Sequence, residues 1–179
     1  ITAPALVSVV NTTGTCSAPA DLGKPVTSDN CGVATITNDA PLLFPVGTTI
    51  VTWTVTDVHG NVTDIAKQLV IVIDNELPTI SVNHISVHND AGKCGATIVI
   101  PMPMTADNCG VASIMGVRSD HKLLTEDYPV GTTTISWTVR DVNGNMNTII
   151  QNIQVADNEE PIITCTANQV FCANTGGNT

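Results

Sequence analysis

Aromatic side chains are nearly absent from this chain: its 179 residues include two Trp, two Phe and one Tyr. A large aromatic core is therefore excluded, and burial must come from Val, Ile, Leu and Ala around the two Trp. Basic residues are as scarce, with six Lys and Arg against sixteen Asp and Glu, a net charge of −10. That balance argues against nucleic acid or anionic lipid as a partner. It suits a chain kept soluble in the extracellular medium. No apolar run reaches membrane length, so membrane insertion is not expected. No signal peptide opens the chain, and a targeting signal would lie outside this piece. CxxC pairs, HExxH, a nucleophile elbow, a phosphate-cradling loop and a dinucleotide fingerprint are all missing, which points away from an enzyme.

What is present is repetition. Asp29-Asn30-Cys31-Gly32-Val33-Ala34 returns 78 residues later as Asp107-Asn108-Cys109-Gly110-Val111-Ala112. Pro45-Val46-Gly47-Thr48-Thr49, Trp53-Thr54-Val55 and Asp57-Val58 return at an offset of 84, from Pro129 to Val142. The stretch from Asp74 to Pro78 returns at an offset of 83, as Asp157 to Pro161. A period near 80 fits a whole small domain per copy rather than a solenoid turn. The expected division is a module at 1–76, a second at 77–160 and the start of a third at 161–179, together a piece of a longer array.

Modules this small need help from outside the core. Cys16 and Cys31 are fifteen positions apart, as are Cys94 and Cys109. The matched spacing suggests one disulfide inside each module, contributing about 3 kcal/mol, and an oxidising compartment. Reduction is then expected to soften each module without changing the outline. Cys165 and Cys172 can pair with each other only if the chain turns between them, because seven extended residues span roughly 23 Å. Partners beyond Thr179 are equally open.

Alternation with period two marks the strands. Val51, Trp53 and Val55 share one face, as do Ile135, Trp137 and Val139, so each Trp reads as a core plug. The following strands are read with Ile65, Leu69, Ile71 and Ile73 on one face, and Ile149, Ile153 and Val155 in the second copy. His59-Gly60 and Asn143-Gly144 between them are hairpin signals. Residues 80–87, 96–100 and 111–117 read as shorter strands, and no amphipathic helix is found. The expectation is an all-β sandwich per module, joined end to end.

The order Cys, Asp-Asn-Cys, Phe/Tyr-Pro-Val-Gly-Thr-Thr, Trp-Thr-Val-x-Asp-x-x-Gly-Asn and Asp-x-Glu-x-Pro, present twice, resembles the hyalin repeat over about 160 of the 179 residues. The resemblance implies tandem immunoglobulin-like modules of an extracellular, cell-surface adhesion protein. Acidic arrays of this kind also look like the large adhesins of gliding Bacteroidota, so a filament with a part in gliding motility is implied. A third cysteine that the pattern often carries after the linker proline appears only at Cys165; Pro4 and Val82 stand there in the two modules.

Calcium is the sharpest candidate chemistry. Asp141, Asn143 and Asn145 offer oxygens at alternate positions of a tight loop; Asp57 and Asn61 match them, with His59 in the middle. Asp74 and Glu76 crowd acids into one linker, and Asp157 and Glu159 into the next. The bland readings are a plain hairpin turn and a solvated connector. A catalytic Cys31 or Cys109 is set against disulfide bonding, and His84 with His88 against surface exposure. Asn11 and Asn61 head glycosylation sequons. The second module carries six extra residues within 118–128, with the only Tyr, Tyr128, as an anchor for a surface glycan or protein ligand. Neighbouring modules of the same chain are the expected partners, and a spacer role beside a secreted enzyme is a further alternative.

Overall fold

The computed structural model describes residues 1–164, with the side chains of Asp64 and Ile65 left out. Cys165 and Cys172 lie outside the described residues. All regular structure described is β. The first copy contributes β1 (Val7–Val10), β2 (Ser17–Ala18), β3 (Val33–Asn38), β4 (Phe44–Pro45), β5 (Gly47–Asp57) and β6 (Val62–Ile73). The second contributes β7 (Thr79–Ser81), β8 (Ile85–His88), β9 (Gly95–Ala96), β10 (Met104–Ala106), β11 (Val111–Arg118), β12 (Tyr128–Pro129), β13 (Gly131–Asp141) and β14 (Met146–Ala156). The stretch 80–87 is thus two short strands, and 97–100 is not strand at all, because Pro101 and Pro103 interrupt that region.

The two copies share no sheet. Each has a four-stranded sheet, β1-β6-β5-β3 and β11-β13-β14-β8, faced by short pairs, β2-β4 in one and β9-β12 with β7-β10 in the other. The antiparallel trio β3-β5-β6 is the C-F-G arrangement of an immunoglobulin-like sandwich. β1 and β8 close their sheets in parallel, with Val7 opposite Val70 and Ile85 opposite Ile153.

Alternation on β5 and β13 puts Val51, Trp53 and Val55, and Ile135, Trp137 and Val139, into the cores. Phe44 and Ala18 from β4 and β2 close the first core, and Tyr128 and Ala96 close the second. A buried indole N–H needs an acceptor. Gln68 and Gln151 supply it at 3.0 and 2.8 Å. Their amides in turn donate to Ala5 O, Leu22 O and Asn83 O. Two buried glutamines on apolar strand faces are invisible to a hydrophobicity pattern.

One face assignment reverses. On β14, Ile153 and Val155 are buried as expected, but on β6 the inward residues are Ala66, Gln68, Val70 and Val72. Leu69 and Ile73 are 42% and 49% exposed. The cause is one extra residue in the first copy, the difference between the offsets of 84 and 83. It forms a β-bulge, with Trp53 opposite Ala66 but Val55 opposite Thr63. A one-residue insertion exchanges the two faces of everything after it.

The second copy's insertion folds inward. Arg118, 1% exposed, donates to Asp120 through two nitrogens and to Leu123 O, Glu126 O and Asp127 O. Its guanidinium lies 3.8 Å from the centre of the Tyr128 ring. Tyr128 is fully buried and therefore cannot serve as an exposed glycan platform.

Gly116 faces Trp137, and a Cβ there would sit 2.7 Å from the indole. Gly116→Ala should destabilise the second copy by about 1–3 kcal/mol in denaturant melts. The hydrogen bonds from Arg118 hold the Asp120 carboxyl below its ordinary value. Its contribution is thus present above the ordinary carboxylate range and lost as pH falls through the lower folded value. Asp120→Asn should speed proteolysis of the 119–127 loop at neutral pH, and the difference from wild type should vanish in acid.

Candidate functional site: the seam between copies

Strand length decides the cysteine pairing. Val46, at the start of β5, donates to Cys16 O at 3.1 Å, while Val58, just past its end, donates to Gly32 O at 3.1 Å. The two cysteines of one copy therefore lie at opposite ends of an eleven-residue strand, roughly 30 Å apart. A disulfide needs Cα atoms within about 7 Å. Cys16–Cys31 and Cys94–Cys109 are excluded on that ground. The bond formed is Cys16–Cys109, between copies, with Cα atoms 4.8 Å apart and 93 residues between them in sequence. Cys31 and Cys94 are exposed free thiols, so disulfide bonding no longer argues against their reactivity. Reduction should loosen the junction and leave the sandwiches intact.

The seam has a socket and a plug. In the socket, Glu76 accepts from Gly14 N and from the Asn11 amide, which also donates to Thr15 O. Glu76 is thus occupied as a loop clamp. Asn11 is buried with its amide in use, which closes it as a glycosylation site. In the plug, Asp107 Oδ1 accepts from Cys109 N and Gly110 N, shaping the turn that presents the thiol. Gly110 takes φ 114°, a backbone that a Cβ would oppose. The Asn108 amide crosses the seam to Thr15 O at 3.1 Å and Asp74 Oδ1 at 3.4 Å. Asn147 anchors the linker by donating to Pro78 O.

Acids converge at the same place. Asp74 from the linker, Asp107 from the plug and Asp141 from the β13–β14 hairpin each bring one oxygen within 4.8 Å of the others. Asp74 and Asp141 are buried, at 7% and 1% exposure. Burial opposes the charge on Asp141, yet hydrogen bonds from the Asn145 side chain and from the backbone of Asn145, Gly144 and Asn143 outweigh it and lower its pKa. Asp74 Oδ2 and Asp107 Oδ2 are buried with no hydrogen-bond donor. Leaving such oxygens unpaired beside a third carboxylate is costly. A cation would meet that need, and three converging carboxylates are ligands of the hard-cation kind.

Loop and linker spacing points to Asp74 and Asp141 but not to Asp107, which is hidden inside a motif whose cysteine draws the eye. Asn145 belongs to the seam, donating to Asp74 O at 3.3 Å; Asn143 is exposed. Asp57 and Asn61 are at the far end of the first copy, where Asn61 donates to Asp57 and lowers its pKa. Asp157 and Glu159 are at the far end of the second, with Glu159 accepting from Gly92 N. His84 accepts from Asn152 N through Nδ1, and His84 and His88 are both exposed. No helix described is long and apolar enough to cross a membrane.

No protein-family model matches the chain. It is 32% identical over 150 residues to Hyalin of Lytechinus variegatus, covering 79% of this chain and 28% of that protein. It is 28% identical over 185 residues to Hyalin of Strongylocentrotus purpuratus, covering 94% of this chain and 15% of that protein. The chain thus spans less than a third of either relative. Among solved structures it is similar to fibronectin(III)-like modules of Clostridium thermocellum CbhA, at 12% identity and a TM-score of 0.37 over 90% of this chain and 96% of that one. Drosophila N-cadherin EC1-4 gives 11% and 0.43 over 87% and 48%.

Digestion before aspartates separates Cys16 from Cys31 at Asp21 and Asp29, and Cys94 from Cys109 at Asp107. Non-reduced peptide mapping should return the link Cys16–Cys109, with Cys31 and Cys94 open to alkylation. A Cys16–Cys31 peptide would overturn the seam.

Proposed function

We propose, since these are hyalin-repeat-like modules, that the chain is a non-enzymatic segment of an extracellular, cell-surface adhesion stalk. In it each module is a rigid spacer and each seam a stiffening clamp. The observation that carries this reading is the covalent link between copies, made next to three converging carboxylates. A flexible string of beads needs neither. With modules at 1–76 and 77–160, Cys109 ties the second module to the first, and Asp74, Asp107 and Asp141 converge beside that link.

Asp74, Asp107 and Asp141 would hold calcium, which supplies positive charge to oxygens that otherwise repel. One ion on that set would fix the linker to both the plug turn and the hairpin. Removing it would leave the disulfide as a single tether about which the modules pivot. Neighbouring modules of the same chain are then the principal partners. The glycan alternative loses its anchor with Tyr128 in the core, and gliding motility finds no residue or contact of its own here.

Calcium should raise the unfolding midpoint relative to chelator, through a gain of about 2.7 kcal/mol in unfolding free energy at a hundredfold excess over its Kd, and narrow the distribution of particle lengths in solution scattering. Asp107→Asn keeps the turn-shaping oxygen while removing charge, and should abolish both effects. Asp57→Asn, at the far end, should retain them. Identical melts in calcium and chelator would sink the cation clamp and leave the covalent seam standing.

A further inference from the structure

Cys31 and Cys94, the two unpaired cysteines among the described residues, sit in half-built copies of the seam. Around Cys94 the frame of the socket is present, short of a counterpart to the Asn11–Glu76 hydrogen bond: Glu159 accepts from Gly92 N at 2.7 Å, as Glu76 does from Gly14 N at 2.8 Å. Asn89 donates to Lys93 O at 3.0 Å, as Asn11 does to Thr15 O at 3.0 Å. Asn158 N donates to Asn89 Oδ1, as Asn75 N does to Asn11 Oδ1. Val130 N donates to Cys94 O at 3.1 Å, matching Val46 N and Cys16 O. Around Cys31 the plug is present in full: Asp29 Oδ1 accepts from Cys31 N and Gly32 N at 2.8 and 2.9 Å, and Gly32 has the φ of 114° found at Gly110.

What differs is cover. Asp74 is buried in the made seam, and its counterpart Asp157 is exposed. Asp107, Cys109 and Cys16 are half-buried, and Asp29, Cys31 and Cys94 are exposed. Apart from that one bond the backbone and clamping hydrogen bonds match, so the frame of the socket and the plug do not depend on being joined in order to form. They are preorganised surfaces, and among the described residues the shape that fits either is the other.

We propose that the seam is a repeating latch: the socket at Cys94 receives the Asp-Asn-Cys turn of a following module, and the turn at Cys31 enters the socket of a preceding one. This deepens the stalk reading and rests on it. Docking brings the acids together as well, since the socket holds Asp157 and the plug end holds Asp29 with Asp57, the counterparts of Asp74, Asp107 and Asp141. The contact is head-to-tail and does not close on itself, so it propagates along an array. Latching oxidises two thiols to one disulfide. The two electrons and two protons pass to a low-molecular-weight disulfide such as oxidised glutathione, which leaves as two thiols.

The test inserts a second copy of residues 79–161 after Pro161 of the full chain. Val99→Ile and Ser113→Thr, both at exposed positions, mark the inserted peptides by mass. After folding in a glutathione redox buffer, aspartate-directed digestion should give Cys16–Cys109 together with Cys94 linked to the inserted copy's Cys109. Cys31 and the inserted copy's Cys94 should remain alkylatable. Protection of the inserted copy's Trp137 from a soluble quencher reports that it has folded. A folded insert with Cys94 still free, or paired within its own copy, overturns the latch. If Cys16–Cys109 survives in that case, only the repetition fails and the first seam stands. In the unaltered chain, Cys31 and Cys94 should alkylate without denaturant; a link from Cys94 to Cys165 or Cys172 would also overturn it.

Discussion

An eleven-residue strand keeps its two ends apart, and the architecture of this chain follows from that separation. β5 and β13 each carry a cysteine-bearing loop at either end. No rotamer or loop adjustment closes roughly 30 Å. A cysteine at one end can find a partner only on another module. The same length sets the long dimension of each sandwich, and in the proposed stalk it would set the spacing between seams.

Putting the bond at the seam changes what it does. Inside a module a disulfide restricts the unfolded chain. Between modules it restricts orientation, and it closes a loop of 93 residues that contains most of one sandwich and the linker. The acid set then acquires a context. Asp74 alone is a linker carboxylate, Asp107 shapes a turn and Asp141 caps a hairpin; the seam brings their spare oxygens together where water is excluded. Stability in such an array resides in nearest-neighbour junctions as much as in the modules themselves.

Much of the sandwich was legible from residue order. Period-two alternation placed Val51, Trp53 and Val55 inward, because a strand side chain has only two faces to choose between. The same simplicity produced the error on β6, where one bulged residue reversed the faces of Leu69, Ile71 and Ile73. Gln68 and Gln151 escaped notice because polarity usually marks an outward position, and here it answers an indole N–H. Arg118 and Tyr128 escaped for a related reason: a charged insertion reads as surface until its guanidinium is seen satisfied by three carbonyls and a carboxylate.

Residue order alone determined the repeat, the all-β character, the Trp plugs and the concentration of acids at the linkers, all of which depend on local pattern or spacing. Which cysteine meets which, that Asp107 joins Asp74 and Asp141, and that Asn11 is closed off were decided by tertiary structure. Those facts depend on distances between chain segments far apart in sequence. Matched spacing within each copy suggested an internal bond because spacing counts residues, whereas a disulfide responds to distance, and a straight strand makes the two diverge.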